Sequence, residues 1–167
     1  MGKTDENLKA AFAGESQANR AYLAFAKRAE KDGKKNIANM FRAIAEAETV
    51  HAHNHLGIMN GVKDTKENLK KAIEGEAYEH QKMYPEFMKN AKEEKNDDAW
   101  KTFNWANEVE KIHEGLFRKA LETFESGGDI RQKEFYVCPV CGYTHESRPG
   151  RCPLCGTDGS KFMVFGG

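Results

Sequence analysis

Two short stretches of the chain carry the residue types that hold transition metals. Glu48-Thr49-Val50-His51 sets a carboxylate and an imidazole three residues apart, and Glu110-Lys111-Ile112-His113 repeats the pattern. On a helix, positions i and i+3 share a face, so each Glu and His can reach one point. A single such pair arises readily by chance. Two pairs in apolar stripes, accompanied by Glu15 and Glu76 on two further stripes, make a donor set for two cations. A second donor set lies near the end of the chain. Cys138-Pro139-Val140-Cys141-Gly142 is echoed by Cys152-Pro153-Leu154-Cys155-Gly156. Four thiolates suit a tetrahedral zinc or iron ion, and each glycine lets the backbone turn tightly around sulfur.

Long helices must present the carboxylates and histidines. Thr4, followed by Asp5 and Glu6, reads as an N-cap with an acidic first turn. That helix runs to about Lys31 and stops at Asp32-Gly33. A second spans about Lys35 to Leu56, with Gly57 and Gly61 at its exit. Asp64 with Glu67 resembles a capping box and opens the third. Asn96-Asp97-Asp98 ends the third helix and caps the fourth, which finishes at Ser126. Four long helices with short connections predict an antiparallel bundle.

The predicted inward stripes step by three and four residues. They run through Leu8, Phe12, Glu15, Ala18, Tyr22 and Phe25; Ile37, Phe41, Ile44, Glu48, His51 and His55; Leu69, Ile73, Glu76, His80, Met83 and Phe87; and Phe103, Ala106, Glu110, His113, Phe117 and Phe124. Each stripe has a carboxylate at a core position near mid-helix. An unpaired buried carboxylate costs several kcal/mol, so four that converge need a cation. Glu15 precedes Glu48 by 33 residues and Glu76 precedes Glu110 by 34, as if one helical hairpin were present twice. Two such hairpins face to face give the constellation of carboxylate-bridged di-iron and di-manganese bundles.

Other residues near these stripes read more plainly. Glu46 and Glu108 lie off the stripes, His53 faces solvent, and His55 and His80 pack between helices. Tyr22 and Tyr84 are core aromatics about two turns from a ligand, where a phenol can hydrogen-bond a carboxylate. Pro85 removes a backbone donor and is expected to kink the third helix. Glu79, three residues after Glu76, is either a surface residue or a fifth carboxylate for the site.

Composition divides the chain into residues 1–128, the expected bundle, and residues 133–167, the expected cysteine module. The 167 residues carry 26 basic and 26 acidic side chains. Their cancellation leaves no global electrostatic case for nucleic acid or for an anionic membrane. The apolar runs are too short to span a bilayer, and no basic, apolar leader opens the chain. Cysteines clustered for a metal fit a reducing compartment, so the expected location is cytoplasmic.

Glu15-Ser16-Gln17-Ala18, Glu48-Thr49-Val50-His51, Glu76 with Glu79, Met83-Tyr84-Pro85, Glu110-Lys111-Ile112-His113 and the closing pair of CPxCG motifs resemble rubrerythrin, in order and over nearly the whole chain. The ten residues between the cysteine pairs also match the rubrerythrin form of the module. The resemblance implies an all-α, ferritin-like four-helix bundle followed by a small, β-poor, rubredoxin-like four-cysteine domain. It implies a non-haem di-iron peroxidase that reduces hydrogen peroxide to water in oxidative-stress defence. Its cofactors would be an oxo/carboxylate-bridged di-iron centre and one mononuclear iron, for which zinc can substitute. Carried over by position, Glu48 and Glu110 bridge the irons, Glu15 binds one and Glu76 with His113 binds the other. Glu79 and His51 exchange on the first iron with redox state, Tyr22 and Tyr84 flank the site, and Cys138, Cys141, Cys152 and Cys155 hold the tail iron. The implied partners are a second copy of the chain in a head-to-tail homodimer and an electron-donor reductase or rubredoxin supplied by NAD(P)H. The connection at residues 57–65 also allows helix exchange between subunits. Two other readings fit the motifs: a ferritin-like iron oxidase or storage protein, and a zinc-ribbon interaction module.

Overall fold

The computed structural model describes residues 2–166. The chain divides into two compact units, Met1–Lys63 and Asp64–Gly167. The division falls inside the helical part, ahead of the composition break expected near residue 128. Among the described residues, no helix is long and apolar enough to cross a membrane.

The first unit is a hairpin of α1, Lys3–Lys31, and α2, Lys35–Ile58. The α1 N-cap is Gly2 rather than the expected Thr4, because the Asp5 carboxylate reaches back and accepts from the Gly2 amide at 3.0 Å. Gly33, with φ +71°, makes the left-handed turn between the helices. The buried seam consists of Ala26, Ala29, Ala38, Ala45 and Ala52, with Phe41 packed against its first part. The predicted stripes differ from this seam: Phe25, Ile37 and Ile44 are 49%, 46% and 39% exposed. Closely packed helices leave room only for small side chains between them, so the large residues of the same helices flank the contact.

One polar residue crosses the seam. Asn19 is buried, and its Nδ2 donates to the Ala45 carbonyl at 2.6 Å and to Thr49 Oγ1 at 2.8 Å. These bonds fix the axial register of α1 against α2 and so align Glu15 with Glu48.

In the second unit, α3, Thr65–Tyr78, begins at Asp64, whose side chain accepts from the Glu67 amide at 2.9 Å as expected of the cap. It continues through a π turn, Glu79–Met83, into α4, Tyr84–Glu93. The disturbance that Pro85 predicts therefore takes the form of a widened turn just before the proline. The Tyr84 amide bonds back to the Glu79 carbonyl, five residues earlier. Asn96 caps α5, Asp97–Glu125, by accepting from the Ala99 amide at 3.0 Å. Helices α3 and α4 both pack on α5, with Ile73, Ala91 and Val109 buried.

The chain then forms β1, Glu134–Val137, β2, Thr144–His145, and β3, Met163–Gly166. They make an antiparallel sheet in the order β2-β1-β3. Its core is Cys138, Cys152 and Phe162, surrounded by Tyr136, Tyr143 and Leu154. A mostly helical chain closed by a small sheet is the fold class expected.

Replacing Asn19 with alanine removes both cross-seam bonds and leaves a void. The expected loss is about 1–3 kcal/mol, measured as a lower denaturant midpoint at unchanged slope. An unaltered midpoint would mean that the alanines alone set the register.

Candidate metal centres

Among the described residues, three groups of metal-ligating side chains converge. They are Glu15, Glu48 and His51 in the first unit, Glu76, Glu110 and His113 in the second, and the four cysteines. Within each group the ligand atoms lie within 4.8 Å of one another. The six carboxylate and imidazole ligands expected from the sequence are thus assembled as two triads. Both Glu-x-x-His pairs close as the helical spacing requires: His51 Nδ1 lies 2.9 Å from Glu48 Oε2, and His113 Nδ1 lies 2.6 Å from Glu110 Oε2.

The triad of the second unit shows why a cation suits it. Glu76 shares a hydrogen bond with Glu110. Burial first, then that bond and the Glu110 charge, push Glu76 up to about 7. Burial also acts to raise Glu110, but hydrogen bonds from His113 and Glu76 outweigh it and hold this carboxyl below its ordinary value. His113 is raised, chiefly by its bond to Glu110. Two carboxyls sharing a proton beside a histidine shifted toward its charged form make a site where a divalent cation can replace the protons.

Glu79 stands outside both triads, at the start of the π turn. Burial first and then the Glu110 charge raise it above the usual carboxylate range. Tyr84 is raised by burial and by Glu79, Glu110 and Glu76, in that order. This puts its ring within the field of the second triad. Tyr22 lies on α1 against Phe25 and Phe41, with ring centroids 6.1 and 6.2 Å away. His80, expected as a packing residue, pairs its Nε2 with Glu114 Oε2 at 2.5 Å and ties the π turn to α5. Glu108 is held low by Lys111, and His53 is exposed, as expected.

The four cysteines are free thiols in two matching turns. The Gly142 amide donates to the Cys138 carbonyl at 3.0 Å, and the Gly156 amide to the Cys152 carbonyl at 2.9 Å. Both glycines have φ near +80°, at 80° and 77°. Cys138 and Cys155 sulfurs are 3.5 Å apart, as are those of Cys141 and Cys152. A tetrahedron with metal–sulfur distances near 2.3 Å has edges of about 3.8 Å, so the thiols fit one ion. Burial raises Cys141 and Cys152. It acts on Cys155 too, but donation from the Thr157 hydroxyl, 3.0 Å from the sulfur, helps to hold that thiol at about 6.

Two threonines escaped the sequence reading. Thr49 receives the Asn19 amide, and Thr144 meets His113: His113 Nε2 lies 2.9 Å from Thr144 Oγ1. No local pattern marks either one, since each acts across the fold.

A family model described as rubrerythrin matches residues 6–121, and one described as the rubrerythrin rubredoxin-like domain matches residues 136–163. Rubrerythrin-2 of Clostridium acetobutylicum is 35% identical over 97% of this chain and 96% of its own length. Nigerythrin of Nitratidesulfovibrio vulgaris is also 35% identical, over 99% of this chain and 88% of its own. A solved structure described as the fully reduced, all-ferrous state of nigerythrin matches 99% of this chain and 88% of that chain, with 32% identity and a TM-score of 0.58. The chain carries a di-iron carboxylate site and a four-cysteine rubredoxin-like site.

The metal-free protein should lose stability as pH rises from about 4.5 through about 7. Glu76 is raised in the folded state from 4.5 to about 7, so the fold favours its protonated form, and that advantage fades across this window. His113, raised from 6.5, adds a loss of the same sign at higher pH. Melting temperature against pH in chelator tests this. A flat profile would contradict the shared proton, and saturating manganese(II) should reverse the slope because its ligands must be deprotonated.

Proposed function

The chain belongs to the rubrerythrin family, and from that premise we propose that it is a non-haem di-iron peroxidase that reduces hydrogen peroxide to water. The observation that carries this reading is the presence in one chain of two Glu–Glu–His triads and a four-thiol cage. The triads are a donor set for a two-ion centre. The cage is a donor set for a one-electron carrier. Iron held at the triads would supply two electrons, one per ferrous ion, which with two protons convert one peroxide to two waters.

The residues divide that work. Iron would be held by Glu15, Glu48, Glu76, Glu110 and His113, with Glu48 and Glu110 in the shared role, Glu15 as a ligand to one ion, and Glu76 and His113 as ligands to the other. Glu79 and His51 are the exchangeable pair. An asymmetry between the histidines supports this choice. His113 is held at both ring nitrogens, by Glu110 and by Thr144. His51 is held at Nδ1 by Glu48, and its side chain is 55% exposed. The less constrained imidazole is the one suited to move. Glu79 begins the π turn, where the backbone has departed from the regular helical ladder. The Tyr84 phenol, kept protonated by burial and three carboxylates, can donate a hydrogen bond to a ligand carboxylate and hold a proton beside the site. Tyr22 is its counterpart in the first unit.

Residues 1–128 form the catalytic bundle in this reading, and residues 133–167 deliver electrons one at a time from a cytoplasmic reductase or rubredoxin fed by NAD(P)H. The working assembly is a head-to-tail homodimer, with exchange of the first hairpin between copies open to it through the connection at residues 57–65.

Anaerobic single turnover tests the reading. Iron-loaded, reduced protein receives hydrogen peroxide or a metered dose of dioxygen while the ferric absorbance of both centres is followed. Peroxide should oxidise it faster than dioxygen; the reverse order would identify a ferritin-like oxidase. Glu79→Ala should keep its metal content and lose peroxide turnover by about tenfold or more. Cys155→Ser should consume the first peroxide and then stop for want of electrons. Normal turnover by the Glu79 variant would remove that residue from the reaction.

A further inference from the structure

We infer that Thr144 is a positioning residue that links occupancy of the four-cysteine cage to the ligand geometry of His113, so that the two metal sites of the second unit bind their ions cooperatively. The inference rests on the reading of both groups as metal sites. It goes beyond that reading in coupling them.

The direction of each hydrogen bond follows from the chemistry of its partners. Thr144 Oγ1 lies 2.9 Å from the Gly142 carbonyl. A carbonyl only accepts, so the hydroxyl hydrogen points there. The remaining lone pairs face His113 Nε2 at 2.9 Å, and Nε2 must therefore be the donor. A neutral imidazole with its proton on Nε2 has its lone pair on Nδ1. That nitrogen lies 2.6 Å from Glu110 Oε2 and 3.8 Å from Glu76 Oε2, which is the side where a cation would be held. Thr144 thus selects the tautomer that can ligate and fixes the plane of the ring.

The other end of the bridge is built into the cage. Gly142 is the turning residue of the first CPxCG motif, and its amide donates to the Cys138 carbonyl at 3.0 Å. The Cys138 amide donates to the Tyr143 carbonyl at 2.9 Å. Thr144 therefore hangs from the turn that carries Cys138 and Cys141, the two thiols that an ion in the cage would cross-link to Cys152 and Cys155. The module is also seated on α5. A Cβ at Gly142 would lie 3.9 Å from Val109 Cγ1, and Lys119 Nζ meets Glu146 Oε1 at 2.6 Å. Val109, His113 and Lys119 place three contacts along one helix, with the metal-ligating histidine in the middle. A cage emptied of metal loses its cross-link and frees the turn. The Thr144 hydroxyl then no longer holds His113 in one tautomer and one plane. Coupling of this kind is reciprocal, so each ion favours the other by the same factor.

The test uses the full-length, metal-stripped protein and two ions of different softness. One equivalent of cadmium(II) fills the thiols, and manganese(II), a hard ion, reports on the carboxylate and histidine site. Free manganese is read from its paramagnetic resonance signal, and His113→Ala gives the background. Cadmium should raise the manganese affinity of the unaltered protein by about tenfold. Thr144→Val, which keeps the shape and removes the hydroxyl, should bind manganese as the cadmium-free protein does, with or without cadmium. Thr144→Ser should restore the cadmium effect. Equal manganese affinity with and without cadmium in the unaltered protein overturns the proposal, as does a full cadmium effect in Thr144→Val. Nitrogen-15 spectra of the cadmium-loaded, unaltered protein give a readout that needs no variant. The His113 proton should sit on Nε2, and a proton on Nδ1 with Nε2 bare overturns the proposal. Neither measurement involves turnover, so failure of the peroxidase reading would leave this test standing.

Discussion

Carboxylates crowded onto half-buried helix faces are the constraint from which the remaining structure follows. Glu76 and Glu110 are close enough to share a proton, and His113, 2.6 Å from Glu110, is shifted toward its charged form by that contact. Such a cluster is stable only while positive charge lies at its centre, whether as protons or as metal. Glu15, Glu48 and Glu110 lie near the middle of α1, α2 and α5, and Glu76 lies just ahead of the π turn that continues α3 into α4, so each ligand is away from a fraying end. The caps at Asp64 and Asn96 set where those helices start. The amide of Asn19 sets how α1 and α2 register.

The cysteine module answers the same problem with a different donor. A sheet of short strands around Cys138, Cys152 and Phe162 offers little apolar area to bury, and domains this small usually depend on a metal or a disulfide. Here the sulfurs are the core. Metal binding then favours folding of this module directly, whereas the helical hairpins hold their shape through packing. The division between hard donors on helices and soft donors on turns also sorts the ions between the sites.

Much of this was legible in the sequence because the decisive relations are local. Glu48 with His51, Glu110 with His113, the cap at Asp64 and the paired CPxCG turns all act within a few residues, so spacing alone predicts their contacts. What stayed hidden acts across the fold. Periodicity shows that Phe25, Ile37 and Ile44 lie on an apolar stripe, but not that the alanines beside them form the closer contact. Pro85 signals a disturbed helix without saying that the disturbance is a π turn starting at Glu79. Asn19 and Thr144 are ordinary polar residues until a partner 26 or 31 positions away gives them their roles.

The alanine seam of the first hairpin has a consequence for how the chain can drift under mutation. Ala38, Ala45 and Ala52 recur at intervals of seven along α2, all buried, and Ala38 meets Ala26 and Ala29. A methyl group has no rotamers, so this contact cannot absorb a larger neighbour by rearranging, as leucine or methionine would. Tolerance there is one-sided: glycine and serine can fit, and larger side chains push the helix axes apart. Any such separation is passed to the distance between Glu15 and Glu48. The positions least able to accept a larger side chain therefore include five alanines that bear no ligand atom, and the spacing of the Glu15–Glu48 pair rests on their methyl groups.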